Sequence, residues 1–183
     1  MNVFVLCTGR CGSTTFVRAC GHMTNFSAGH ESRAPRLGGQ RLAYPERHIE
    51  ADNRLSWMLG RLDRQYGDGA YYVHLTRDPA AVAASYARRT KLRVGILPAY
   101  KAGILMQGAA GAEGEQALEV AKDLVATVTA NIEHFLRDKT HVMSFPLEEA
   151  TTRFPVFWDW IGAEGDRERA LAEFGVRHNA ARG

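Results

Sequence analysis

The strongest constraint on the fold lies at the start of the chain. Val3-Phe4-Val5-Leu6-Cys7 is a short apolar run, followed at once by Thr8-Gly9-Arg10-Cys11-Gly12-Ser13-Thr14-Thr15 and then by Phe16-Val17-Arg18-Ala19-Cys20. A brief apolar run with β-branched and aromatic content predicts a strand buried on both faces, as in a parallel sheet. The glycines and hydroxyl residues after it predict a tight turn into a helix. Such a turn aims several backbone N–H groups at one point, and the helix dipole adds positive potential there. Gly9 and Gly12 let the backbone approach an anion closely. Ser13, Thr14 and Thr15 offer hydroxyl donors, and Arg10 offers a charged fork for phosphoryl oxygens. The plainer alternative is a strand–helix turn in which Ser13 or Thr14 serves as a cap. The loop lacks the spacing and lysine of GxxxxGK[ST], and it does not fit GxGxxG.

Further along, strand and helix signals alternate. Met23 to Ser27 reads as a second, weaker strand, and residues 28–50 as a long loop rich in Gly, Arg, His and Pro. Leu55, Met58, Leu59, Leu62 and Tyr66 fall at helical spacing and predict a helix over 51–66, ended by Gly67-Asp68-Gly69. Tyr71 to Leu75 predicts the central strand. Pro79 is well placed in the first turn of a helix that runs to Arg89. Residues 91–114 read as irregular, and a long amphipathic helix then carries Leu118, Leu124, Val128, Ile132 and Phe135. Val142 to Phe145 predicts another strand. Helices are expected over Leu147–Ala150, Val156–Ile161 and Arg167–Phe174. This alternation predicts an α/β three-layer fold with a central parallel sheet flanked by helices. Such sheets take ligands at the carboxyl ends of their strands. Here those ends are Thr8–Gly12, Ser27–Glu31 and Thr76–Pro79. The whole chain, 1–183, is expected to form one domain, with 28–50 and 91–114 as substrate or lid loops.

Composition matters mainly for what it excludes. The chain has 23 Lys+Arg against 20 Asp+Glu, a net +3, which is too slight to argue for nucleic acid. No apolar stretch is long enough for a membrane span. Arg10 follows the first apolar run too soon for a secretory signal, so a cytoplasmic location is expected. Cys7, Cys11 and Cys20 lack CxxC spacing and read as reduced thiols rather than a disulfide framework or a metal site. No metal is expected.

Two motifs carry a resemblance. Arg10-Cys11-Gly12-Ser13-Thr14 after the first strand fits [KR]-x-G-[ST]-[ST]. Arg77-Asp78-Pro79 with Ser85 fits R-[ND]-P-x-x-x-x-x-S. In that order they resemble the sulfotransferases that use 3'-phosphoadenosine 5'-phosphosulfate (PAPS), a P-loop-like family. The resemblance runs from Val3 to about Ile161 and includes Ser144-Phe145-Pro146-Leu147-Glu148-Glu149. It implies that the first loop holds the 5'-phosphosulfate, with Arg10 at the bridging oxygen, and that Arg77 and Ser85 bind the 3'-phosphate. It implies PAPS as sulfuryl donor, adenosine 3',5'-bisphosphate as product, and a hydroxyl or amine acceptor, either a small molecule or a carbohydrate. By position, Arg182 in the C-terminal segment joins the donor site, with Arg177 and His178 nearby. The chain departs from the family where a tryptophan commonly stacks on adenine. Here Thr15 and then Phe16 follow the loop.

Sulfuryl transfer also needs a base for the acceptor proton. Glu31 ranks first and His30 second, both at the strand rim. His74 reads as a packed strand residue, and Trp57, Trp158 and Trp160 as core or interface. Tyr100, with Leu97 and Ile104, is a candidate acceptor wall. Arg88, Arg89, Lys91 and Arg93 form a basic run, either a solvated helix end or an attractor of anionic acceptors. Two rival functions stay open: an ATP-dependent kinase, disfavoured by the missing lysine, and a non-catalytic anion- or nucleotide-binding protein. Assembly with further copies of the chain is left open.

Overall fold

The computed structural model describes residues 1–89, 95–108 and 114–176. Five strands form one sheet in the order β2-β3-β1-β4-β5, with every adjacent pair parallel. They are β1 (Val3–Leu6), β2 (Ser27–His30), β3 (His48–Ala51), β4 (Tyr71–Thr76) and β5 (Val142–Pro146). The helices are α1 (Ser13–Cys20), α2 (Leu59–Tyr66), α3 (Pro79–Ala87), α4 (Ile96–Ala99), α5 (Gly114–Leu136), α6 (Ala150–Trp160) and α7 (Arg167–Ala172). Among the described residues no helix is long and apolar enough to cross a membrane.

The apolar start of the chain becomes the centre of the sheet. All of β1 is fully buried, with β3 on one side and β4 on the other. Side chains alternate across it. Phe4 packs on Tyr44, Tyr66 and Tyr72, and Tyr72 reaches Phe135 of α5. The opposite face meets α1, where Phe16 sits among Phe145, Phe154 and Phe157. Helix α1 also packs on α7, and α3 packs on α5. The two faces are thus covered by different helices, as the strand–helix alternation predicts. After β1 the chain moves to one side for β2 and β3, then returns to place β4 on the other. The reversal opens a crevice at the carboxyl ends of β1 and β4, the usual ligand position in such sheets.

Several boundaries differ from the sequence expectation. The second strand lies four residues later, at Ser27–His30, while Met23 and Phe26 are buried in the preceding turn. β3 begins inside the expected 28–50 loop and ends one residue beyond it, at Ala51. It has only Ile49 and Ala51 as apolar residues, yet all four of its positions are buried. The expected helix over 51–66 is three pieces: the end of β3, a 3-10 turn over Asn53–Trp57, and α2. Asp52 produces the break, because its carboxylate accepts the Arg54 N–H at 2.8 Å and starts the tighter turn. Helix α3 stops at Ala87, short of Arg89. The two expected helices over 147–161 become a 3-10 turn, Leu147–Glu149, and one continuous helix, α6. Pro155 is tolerated inside α6, where the carbonyl it leaves unpaired belongs to exposed Thr151. Within 91–114, α4 and a π turn over Tyr100–Ile104 supply regular structure. Lys91 and Arg93 lie outside the described residues.

The polar residues of β3 are held in a buried network. Glu50 is fully buried and accepts from the Ser32 N–H at 2.7 Å, the Ser32 hydroxyl at 2.6 Å and His48 Nε2 at 2.9 Å. Burial alone would raise its pKa. The bonds from His48 and Ser32 outweigh that and hold it below the ordinary carboxylate value. Beside it Arg41 donates to Asp52 at 2.5 Å and to the Tyr44 hydroxyl at 3.2 Å. This buried pair ties the 3-10 turn over Gly38–Arg41 to the end of β3.

Candidate active site

The loop between β1 and α1 winds through left-handed backbone. φ is +82° at Gly9, +59° at Arg10 and +82° at Gly12. Glycine is needed twice, for sterics as well as for φ. A Cβ on Gly9 would come within 2.7 Å of Asn53 Nδ2, and one on Gly12 within 2.6 Å of the Leu147 side chain. Arg10 holds the same conformation with a side chain, which costs about 1 kcal/mol or more. Cys11 is buried, and its thiol lies against Thr8 Oγ1 at 3.0 Å and the Gly9 carbonyl at 3.1 Å. It therefore offers a ligand its backbone and not its side chain. Thr15 is also buried, whereas Ser13 and Thr14 are half-buried at the start of α1. Gly12 occupies the cap position of α1 with no side-chain cap bond, so the capping alternative for Ser13 or Thr14 is not the arrangement found.

Two segments separated by about seventy residues meet here. Arg10 Nε donates to Ser85 Oγ at 3.1 Å, and Arg77 donates through Nη1 to the Arg10 carbonyl at 3.3 Å. Burial lowers the pKa of the Arg10 guanidinium, and repulsion from Arg89 and Arg77 lowers it further. Three arginines thus share one crevice. Such crowding of like charge at a strand rim suits a ligand with several negative charges. Asp78 fixes the second segment: its carboxylate accepts the Ala81 N–H at 2.7 Å, its own N–H donates to Glu148 at 2.9 Å, and Pro79 opens α3.

The base candidates separate on geometry. His30 Nε2 lies 3.0 Å from Ser13 Oγ and 3.5 Å from Thr14 Oγ1. Its ring therefore faces the loop hydroxyls. Glu31, also left-handed at φ +53°, turns away and accepts from Arg54 Nη1 at 2.7 Å. Arg182, Arg177 and His178 lie outside the described residues. Phe16 is fully buried in the aromatic core and is not placed to stack on a base. Tyr100 is buried, and its hydroxyl donates to Asp123 at 2.5 Å. Ile104 is exposed, and Trp57, expected in the core or an interface, is 36% exposed with its ring 5.9 Å from that of Tyr100. Trp158 is buried as expected.

Three residues missed in the sequence shape the site. Tyr86 donates to the Thr8 carbonyl at 2.7 Å and packs over Gly9, together with Asn53. Leu147 fills the space at Gly12. Tyr86 carried one sequence signal, its place next to Ser85 on the helix expected from Pro79 to Arg89. Asn53 carries no local signal, and Leu147 reads in the sequence only as part of a strand–helix segment.

Comparison with solved structures matches the fold. A sulfotransferase domain from the curacin biosynthetic pathway superposes with a TM-score of 0.64 at 14% identity, covering 99% of this chain and 80% of that one. A sulfotransferase from Alicyclobacillus acidocaldarius gives 0.52 at 15% identity, covering 96% and 81%. The chain has the sulfotransferase fold. No family model matches its sequence, and no curated protein does. In the sulfotransferase fold of this chain, the crevice with the three arginines lies between β1 and β4, where the strand order reverses. Among the described residues, no group of three or more His, Cys, Asp or Glu is placed to hold a metal ion.

Proposed function

We propose that this protein transfers a sulfuryl group from PAPS to a hydroxyl or amine acceptor. The observation that carries the reading is the Arg10–Ser85 hydrogen bond, supported by the Arg77 bond to the Arg10 carbonyl. It brings a loop suited to a phosphosulfate and a strand–helix junction suited to a second phosphate into one cationic crevice. The residues fit the donor: left-handed Gly9 and Gly12 open the loop, and three arginines offer charge for its phosphates.

In this reading the backbone N–H groups at Gly12 to Thr15 and the start of α1 hold the phosphosulfate. Arg10 lies beside the oxygen that bridges phosphorus and sulfur. As the acceptor oxygen forms its bond to sulfur, the bond to that bridging oxygen breaks and negative charge grows there. Arg10 stabilises this charge. Arg77 and Ser85 hold the 3'-phosphate. His30, facing Ser13, takes the acceptor proton in preference to Glu31, whose carboxylate is engaged by Arg54. Adenine is held by groups other than Phe16.

Calorimetric titration with adenosine 3',5'-bisphosphate tests the donor site without knowledge of the acceptor. Tight binding independent of Mg²⁺ is expected, with Arg77→Ala weakening it by about 10- to 100-fold, the loss of a charged hydrogen-bond donor. A preference for ATP with Mg²⁺, or no binding of either nucleotide, would overturn the reading.

A further inference from the structure

A second cationic cavity lies on the other face of the sheet from α1. It has a volume of about 250 Å³ and is lined by Ser32, Arg33, Arg36, Tyr44, Pro45 and His48. Strand alternation separates it from the donor loop. Ser27 bonds His48 Nδ1 at 2.8 Å on one side of β2, while His30 reaches Ser13 on the other.

The wall of this cavity is held by contacts within the protein. The buried rings of Tyr44 and His48 stack at 5.3 Å with 10° between their planes, and the Arg33 guanidinium lies over Tyr44 at 5.6 Å. Both nitrogens of His48 are used, by Ser27 and by Glu50. The nearby acids are occupied elsewhere. Both oxygens of Glu50 serve Ser32 and His48, Glu31 serves Arg54, and Asp52 serves Arg41. Glu46 is exposed and is not part of the lining. Among the described residues, Arg33 has a 3.4 Å bond to the Gln40 carbonyl but no carboxylate, and Arg36 has no side-chain ion pair. Two guanidiniums without carboxylates beside an aromatic and proline wall select a negatively charged group on a compact body.

We propose that this cavity is a binding site for a carboxylate, sulfate or phosphate group borne on a ring-sized molecule. The ligand has two conceivable sources, an acid group of the acceptor or a separate small anion. The site itself does not depend on the sulfuryl-transfer reading, whereas assigning the ligand to the acceptor does.

The test uses the full chain with glucuronate and inorganic sulfate as probes and glucose as neutral control, followed by NMR of the Tyr44 and His48 ring signals. Both anions should move these signals in saturable fashion and glucose should not. Arg33→Gln/Arg36→Gln should weaken the binding by at least about tenfold, the loss of charged donors. Arg36→Gln alone changes an exposed residue and should weaken it in the same direction with the melting temperature kept. Arg77→Ala should weaken the bisphosphate yet keep glucuronate, which separates failure of this site from failure of the donor site. Unmoved ring signals, or equal shifts in the double variant, would overturn the proposal. In an acceptor screen, a raised KM confined to acid-bearing acceptors in the double variant assigns the group to the acceptor. An equal change for neutral and acidic acceptors assigns the site to a free anion.

Discussion

At the scale of single residues, Arg10 and Gly12 define the loop. Arg10 tolerates a left-handed backbone while its side chain reaches Ser85. Strain of this kind persists only where surrounding contacts over-determine it. Arg10→Ala is expected to lower kcat by about 10²–10³, the usual cost of removing a preorganised donor at developing charge. Its melting temperature should be close to that of the parent, which distinguishes lost chemistry from lost folding. Gly12→Ala should behave differently. The new methyl group meets Leu147, and the alanine backbone must hold a positive φ. That costs about 1 kcal/mol or more, or about 2–4 °C for each kcal/mol in a chain of this size. A thermal melt with bisphosphate titration should show both falling together. His30→Gln should lower kcat by about 10²-fold with bisphosphate affinity kept, and Glu31→Gln should do much less. The reverse order would return the role of base to Glu31.

At the scale of elements, what matters is how helices are pinned to the sheet. Tyr86 ties α3 to the end of β1 through the Thr8 carbonyl. Tyr86→Phe keeps the ring and removes that bond. A stability loss of about 1 kcal/mol in denaturant unfolding is expected, with weaker bisphosphate binding because the loop loses its brace. On β4, burial lowers the pKa of His74, only partly offset by Glu133. The folded chain therefore resists protonating His74, while the unfolded chain takes a proton near its ordinary pKa of about 6.5. Stability from this position is present above that value and is lost as pH falls through the lower folded pKa. His74→Gln should flatten that part of the curve in urea unfolding across mildly acidic pH. An unchanged curve would assign the acid sensitivity to other groups. Glu50, also lowered, adds its own loss at more acidic pH.

At the scale of the whole molecule, the modest net charge of +3 conceals a local concentration of positive charge. Arg10, Arg77 and Arg89 crowd the β1–β4 crevice, and Arg33 and Arg36 line the cavity on the far face. Bisphosphate affinity should therefore fall steeply with added salt, since the Debye length shrinks from about 10 Å at 0.1 M to about 3 Å at 1 M. A salt series by calorimetry checks this. Affinity insensitive to salt would mean that neutral contacts, not the arginines, hold the ligand.

Local chemistry in the sequence determined the class of fold and the donor-site candidates. An apolar run, a glycine turn and a helix leave few foldings open, and Arg77 with Pro79 marks a strand–helix junction wherever it lies. Periodicity could not reveal β3, because His48 and Glu50 are polar residues that become buried once Ser32, Ser27 and each other satisfy them. Nor could it show that Asp52 interrupts the expected helix over 51–66. The meeting of Arg10 with Ser85, the turning of His30 toward Ser13 and of Glu31 toward Arg54, and the closure of Gly9 and Gly12 by Asn53, Tyr86 and Leu147 were decided by tertiary structure alone. Each joins groups distant along the chain, and such pairings depend on strand order and side-chain direction. Local preference carries neither.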